Sequence, residues 1–318
     1  MCIEFHRLIS DTPNRLYMYF RAEGAIKFLE NHNLKFSEPT LFNDPFECHI
    51  DFNRSLQTTG FSAMHPDAEP LNERDIFDLQ KRWFEDHKQL KIACFTTEPT
   101  NVLMWAYYAE GQKGVCIEFD PSQDPLFFEN LQQVKYKTQL PVIGRNGSAL
   151  DYNNILVTKA IEWKHEKEWR VIRNDLEGNL FPINPQAITS VIFGCSVGHY
   201  HNDSERSNAY KNIFRLLKRP EYGHIQLKCI STATETYDLQ CANMPFFVLM
   251  EGSHTLSIIS LKDQQCITIS DCSGEGYVPV SQSLVRKWEK TTITLTNGYY
   301  CIHDDTDDAA IQIQVFDE

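Results

Sequence analysis

The sequence predicts an α+β fold: a mixed sheet with flanking helices, followed by a smaller β-rich C-terminal module. Three observations predict it. Up to about residue 240, short apolar runs suited to strands are interspersed with stretches whose apolar residues recur at helical intervals. From Cys241 onward almost every apolar run has the two-residue period of a strand. No internal repeat or low-complexity linker interrupts the 318 residues, which suffice for one large domain or two ordinary ones. The expected division is 1–240 for a domain with a pocket and 241–318 for the module.

Taken in order, RLYMYF (15–20) predicts the first strand and residues 23–31 the first helix. NLKFSEPTLF returns as a strand, and Asn43-Asp44-Pro45 then favours a tight reversal. Residues 53–75 are polar with scattered Gly and Pro and predict a mobile loop, followed by a helix over 75–89. KIACF and GVCIEFD predict strands joined by the helical turn VLMWAYYA. VKYKT, EKEWRVI and ITSVIFG add strands; a helix over 204–218 and the strand IQLKCIS complete the first part. The tail supplies the strands PFFVLME, HTLSIISL, QCITISD, TTITLT and IQIQVFD, one short helix SQSLVRKW, and a solvated acidic turn HDDTDDA (303–309).

Composition narrows the function. A formal charge of −13 argues against an extended nucleic-acid surface or binding to an anionic membrane. No apolar run reaches the roughly 18 residues of a membrane span, and the N-terminus lacks the apolar core of a signal peptide, so a cytoplasmic protein is expected. Ten cysteines are scattered without a C-x-x-C pair. Several lie in apolar runs (IACF, VCIEF, QCITI), where Cys acts as a small hydrophobe, so reduced thiols are expected rather than disulfides or a metal site.

Three phrases concentrate the chemistry: FNDPFE (42–47), LMWAYYAEGQKG (103–114) and WKHEKEWRVI (163–172). Each sets ionisable or hydrogen-bonding groups beside large aromatic residues. Strand alternation in the last would put Glu166, Glu168 and Arg170 on one face, flanked by Trp163 and Trp169 as a dry wall. On a plain surface strand Arg170 would pair with one glutamate and contribute well under about 1 kcal/mol. The functional reading has one carboxylate held by Arg170 while the other meets a ligand with a raised pKa. In FNDPFE a turn accounts for Asn43 and Asp44, with Asp44 capping local amides and Phe42 and Phe46 anchoring it to the core; Glu47 is left over. LMWAYYA suits a buried helical turn from which Trp105 or Tyr108 lines a pocket. His165 should point to the opposite strand face in a structural role. The histidines form no metal-binding cluster.

These phrases resemble a bacterial family catalogued as domain of unknown function 2971. The matching positions are Leu16 and Tyr17 with Tyr19, the run from Phe42 to Glu47, Cys94-Phe95, Met104-Trp105 with Tyr108-Ala109, the run from Glu166 to Arg170, and Phe193-Gly194, covering about residues 14–240. Tyr107 stands where the family usually has His, and Gln112 where a second His is common. The tail is more weakly similar to the C-terminal half of bacteriocin-processing cysteine peptidases, with His254, Asp271 and Trp288 at the matching positions. That family's nucleophilic Cys has no counterpart here: Cys241 lies too close to His254 in sequence. A His and an Asp without their thiolate cannot run acyl transfer.

A Glu-x-Glu on a strand, paired with a Tyr-rich N-terminal strand, is also similar in layout to ADP-ribosyltransferases. That resemblance implies NAD as the cofactor consumed, Glu168 as the stabilising carboxylate, Glu166 positioning the acceptor, Tyr17 or Tyr19 stacking on the ring and Arg21 available for a phosphate. Asn43, Asp44, Glu47, Trp105 and Tyr108 complete the candidate pocket. The leading expectation is an NAD-consuming effector or toxin of the kind used in anti-phage defence. Its competitor is a non-catalytic nucleotide-sensing or protein-assembly module that meets a protein partner through 241–318. A third reading is a hydrolase with a glutamate general base. No metal is expected.

Overall fold

The structure, a computed structural model, describes residues 12–58, 69–143, 149–174, 178–195, 204–243, 246–250, 253–260, 265–271, 278–286, 290–295, 298–304 and 311–317. The first part contains strands β1 (Leu16–Phe20), β2 (Asn33–Lys35), β3 (Lys91–Thr96), β4 (Val115–Phe119), β5 (Leu131–Gln133), β6 (Lys135–Lys137), β7 (Thr158–Ala160), β8 (Glu168–Arg173), β9 (Leu180–Pro182), β10 (Ile188–Phe193), β11 (Gln226–Thr232) and β12 (Leu239–Asn243). Its helices are α1 (Ala22–Asn31), α2 (Phe52–Thr58), α3 (Glu73–Asp86), α4 (Val102–Tyr108), α5 (Ala149–Leu156) and α6 (Ser204–Leu217). Eight strands form one sheet in the order β12-β11-β10-β4-β1-β3-β8-β5. All neighbours are antiparallel except β10 and β11, so the sheet is mixed and the fold is α+β, as the sequence predicts.

Strand alternation gives this sheet two different faces. In β1, Leu16, Met18 and Phe20 join the main core, which also takes Ala93, Phe95, Ile117, Phe119, Val171, Val191 and Phe193 from neighbouring strands. Helices α1 and α6 close that face with Phe28, Leu29, Ile213 and Leu216. Tyr17 and Tyr19 project from the other face. There two smaller clusters form: one of Cys48, Ile50, Trp83, Ile92, Ile155, Leu156 and Ile172 under α3 and α5, the other of Tyr19, Met104, Trp105, Cys116, Ile192 and Ile230 under α4. The helices cover this second face at two places and leave a gap over β1, β3 and β8.

Gly114 holds α4 against the sheet. A Cβ there would lie 2.0 Å from the Phe20 carbonyl oxygen and 3.0 Å from the Ala109 Cα, both backbone atoms that cannot swing away. Gly114→Ala should therefore cost about 1–3 kcal/mol through overpacking. Thermal unfolding checks this, and an unchanged Tm would show that the close approach is absent.

Several local expectations need correction. The helix α2 lies within the stretch expected to be a loop, because Asp51 caps it: its Oδ1 accepts from Arg54 N at 2.9 Å and its carbonyl from Ser55 N at 2.9 Å. Asn72 opens α3 with a capping box to Asp75, so this helix starts before residue 75. The rest of the expected loop, 59–68, lies outside the described residues.

The strand EKEWRVI begins at Glu168 and not at Glu166. Residues Ile161–Glu166 form a 3-10 helix, and Lys167 turns the chain with φ +43°. That turn is held because Thr96 Oγ1 donates to the Glu166 carbonyl at 2.6 Å and Asn101 Nδ2 to the His165 carbonyl at 2.9 Å.

The tail contains β13 (Phe246–Met250), β14 (His254–Ser260), β15 (Gln265–Asp271), β16 (Val278–Val285), β17 (Lys290–Leu295), β18 (Gly298–Asp304) and β19 (Ile311–Asp317). They form a four-stranded sheet β13-β18-β15-β16 and a three-stranded sheet β17-β14-β19. Ile267, Ile269 and Ile302 of one pack with Leu256, Ile258 and Leu295 of the other. The segment expected as the helix SQSLVRKW is instead mostly strand β16. Pairing with β15 decides it, since Ser281 and Ser283 face Ile269 and Ile267 across the ladder. Trp288 lies outside the described residues, as do 305–309 of the acidic turn, whose first residues His303 and Asp304 end β18. Among the described residues no helix is long and apolar enough to cross a membrane.

Candidate functional site

The gap on the second face is a cavity of about 170 Å³. Tyr17 and Tyr19 of β1 wall one side, Phe42 and Asn43 of the FNDPFE turn and Tyr108 of α4 the other, and Glu47, Lys159, Glu166 and Glu168 supply the charge. The cross-strand register explains the floor: Glu168, Thr96 and Tyr17 are direct partners on β8, β3 and β1, so all three rise from the same face.

Arg170, on the same face of β8, organises the charges. It is fully buried, and each of its five N–H donors has an acceptor. Nε donates to Glu168 Oε1 at 2.8 Å, and the terminal nitrogens to Glu47 Oε1 at 2.7 Å, Glu47 Oε2 at 3.0 Å, Glu168 Oε2 at 3.2 Å and the Leu156 carbonyl at 2.6 Å. The fork thus ties the FNDPFE turn, β8 and the end of α5 together. Lys159, on the short strand β7, extends the network. Its ammonium donates to Glu166 Oε2 at 2.5 Å and Glu168 Oε2 at 3.1 Å, and lies 4.9 Å from the centroid of the Trp163 ring. Tyr108 donates to Glu166 Oε1 at 2.6 Å and accepts from Asn43 Nδ2 at 2.9 Å. Three carboxylates stand against two cations, leaving a formal excess of one negative charge.

These contacts set the protonation states. Burial pushes the Glu168 carboxyl up, but the Arg170 and Lys159 charges more than reverse this and hold it at about 2. Burial disfavours the Lys159 charge, yet Glu168 and Glu166 overcome it and raise the ammonium above the usual lysine range. Tyr17 is pushed up to about 12 by burial and by the Glu118 charge. Tyr108 rises for the same two kinds of reason, burial first and then Glu166. The Cys94 thiol at the cavity wall is raised by burial and by Glu168, which makes it a poor nucleophile.

Most of the residues singled out from the sequence meet here, though not in the expected way. Glu166 and Glu168 share the cavity, but Glu166 reaches it from the end of a 3-10 helix. Glu168 is the carboxylate that Arg170 holds, and with Lys159 beside it as well its pKa is lowered. Arg170 has no donor left for a ligand, so it positions Glu47 and Glu168 and does not touch what the cavity holds. Tyr17, Tyr19, Asn43, Glu47 and Tyr108 line the cavity.

Asp44 does not line it; it caps the turn, with Oδ1 accepting from Phe46 N at 2.9 Å. Phe46, expected as an anchor, is 58% exposed. Trp105 is wholly buried behind Tyr19, edge-on with centroids 5.1 Å apart, and supports the wall without forming it. Arg21 is exposed at the head of α1 and is absent from the lining. Trp169 packs into the main core on the opposite sheet face, leaving Trp163 alone beside the charges. His165 is not on a strand; its Nδ1 lies 3.1 Å from the Glu162 carbonyl.

Lys159 was missed by sequence reasoning. Its only signal is a single Lys in an otherwise apolar run, four residues before Trp163. In the tail, His254 opens β14 and Asp271 ends β15, which belong to different sheets.

Among the described residues no group of His, Cys, Asp and Glu has the arrangement of a metal site. No curated protein matches the chain. Residues 104–171 run from Met104 through Tyr108, Lys159, Glu166 and Glu168 to Arg170, and so contain most of the charge network. They match the family model described as Protein of unknown function (DUF2971).

Proposed function

We propose that the cavity receives the positively charged nicotinamide ring of NAD and that the protein is an ADP-ribosyltransferase-like, NAD-consuming enzyme. One observation carries this reading: a tyrosine-walled cavity of about 170 Å³ whose charged groups leave a net formal negative charge. That volume suits a single ring, and aromatic faces with surplus carboxylate favour a cationic one. In the reaction the bond from ribose C1′ to the ring nitrogen breaks, and its electron pair leaves with nicotinamide, which departs neutral. The ribosyl cation then takes an electron pair from an acceptor nucleophile, whose proton is lost to solvent.

Glu168 would serve as the carboxylate beside the developing positive charge. Held at about 2, it is ionised at neutral pH and needs no reorganisation to act electrostatically. The same lowering makes it a weak base, which speaks against the hydrolase reading. Glu166, held by Tyr108 and Lys159, lies ready to position the acceptor. In a cell such an activity would make the protein a growth-arresting effector or toxin, suited to anti-phage defence, with 241–318 available to a protein partner.

The sensing reading is favoured by the cations that already counter each carboxylate. Nicotinamide release from NAD, with and without cell extract as a source of acceptor, separates the two. Release is expected, and Glu168→Gln should slow it about 100-fold while leaving the circular-dichroism spectrum native. Absence of release under both conditions, with binding intact in Glu168→Gln, would establish the sensor instead.

A further inference from the structure

A second cavity, of about 390 Å³, lies on the same face of the large sheet. It is lined by Tyr17, Glu118, Ile192, Lys228, Cys241 and Asn243, among others, so Tyr17 borders both cavities. The register makes the two continuous. Glu168, Thr96, Tyr17 and Glu118 are successive cross-strand partners; Glu118 pairs next with Ser190 on β10, and two residues along that strand Ile192, Lys228 and Asn243 form the adjoining row on the same face. The strand of Glu168 is three spacings from that of Glu118 and five from that of Lys228. At the usual separation of strands this is roughly 15–25 Å. The first cavity accommodates one ring and little more, so the remainder of any larger ligand must lie elsewhere.

The second cavity has the chemistry for an anionic group. Lys228 donates one N–H to Glu118 Oε2 at 2.8 Å, leaving two donors without a partner among the described residues. Glu118 is also held by Arg15 Nε at 3.0 Å, so its charge stays countered when Lys228 turns toward a ligand. Arg15 reaches Asp120 as well, at 2.7 Å. The Tyr17 hydroxyl makes no hydrogen bond to any described residue and stands at the junction of the two cavities.

We propose that the ligand is elongated and two-ended. It lies across the strands with a cationic ring in the first cavity, the chain passing over Tyr17, and a phosphate-bearing second half beside Lys228. This rests on the NAD reading of the first cavity and adds where the rest of the dinucleotide goes. Tyr17 is then the saddle between the halves, and Lys228 a binding residue in contact with phosphate oxygen.

Calorimetry on the full chain tests it with three probes: NAD, ADP-ribose as the second half, and 1-methylnicotinamide as the cationic ring alone. NAD should bind more tightly than 1-methylnicotinamide. Lys228→Met removes the cation and Cys241→Phe fills the cavity from the edge strand; each should weaken NAD and ADP-ribose about tenfold or more. Both should leave 1-methylnicotinamide unchanged, which also reports that the variants are folded. Unchanged NAD affinity in both variants, or NAD binding no tighter than the ring alone, would overturn the two-ended site while leaving the first cavity's reading intact. Binding of ADP-ribose alone, weakened by both variants, would sink the ring reading and keep the second cavity. Binding of none of the three would remove both.

Discussion

Replacing Arg170 by methionine should destabilise the protein by about 3–5 kcal/mol, the cost of leaving buried carboxylates without their partner. The side chain is 0% exposed and, among the described residues, is the only group that bonds both Glu47 and Glu168, whose own side chains are 2% and 5% exposed. Methionine fills similar volume, so the loss would be electrostatic and not a cavity effect. Lys159 alone would then face three carboxylates and could reach only two of them in its present position. Arg170→Lys keeps the charge but not the fork, and should fall between the variant and the parent. The check is urea unfolding of the single variant, of Glu47→Gln and of the double variant. Pairing predicts that the double variant is more stable than the sum of the two losses allows. A loss below about 1 kcal/mol for Arg170→Met would mean that the charges are solvated and the network is not what holds the turn to β8.

The parts of this architecture that depend on local pattern were legible. LYMYF alternates, so it shows both that β1 is a strand and that its tyrosines leave the core face. ERDIFDLQKRWFED repeats at helical spacing and is preceded by Asn72, so α3 needed only its start adjusted. The parts decided by partners distant in sequence were not legible. Arg170 finds Glu47 across 123 positions, and no periodicity in either segment signals that pairing.

The turn at Lys167 was hidden for a related reason. Positive φ is ordinarily advertised by Gly or Asn, and Lys adopts it here because side chains from β3 and from the start of α4 hold the two carbonyls that precede it. In β16 the sequence SQSLVRKW supports a helix as readily as a strand, and the neighbour β15 decided it. Lys159 is the instructive omission. Glu166, Glu168 and Arg170 neighbour one another along the chain, whereas the cation that bridges the two glutamates comes from a separate short strand. The motif phrases therefore marked the right place, and the electrostatics that govern it lay outside them.

Acid should unfold the protein through this same network. A carboxyl whose folded pKa lies below its unfolded value contributes stability that is present above the unfolded pKa and lost as pH falls through the folded one. For Glu168 the unfolded value is about 4.3, as for any exposed glutamate, and the folded value is about 2. In that interval the unfolded chain binds a proton that the folded one refuses, so stability rises with pH there. The difference corresponds to about 3 kcal/mol at neutral pH, an order-of-magnitude figure, withdrawn progressively between about pH 5 and pH 2. Nothing comparable follows from Lys159, whose raised pKa keeps its charge throughout this range.

Urea midpoints measured from pH 7 down to pH 3 should therefore fall in the parent protein. In Glu168→Gln they should start lower and fall less steeply, since the amide has no proton to take up. Parallel slopes for parent and variant would show that Glu168 does not carry the acid sensitivity. That result would also count against Glu168 as a fixed negative charge at the floor of the cavity, because a carboxylate cannot be locked in its ionised form by two cations without transmitting that preference to the pH dependence of folding.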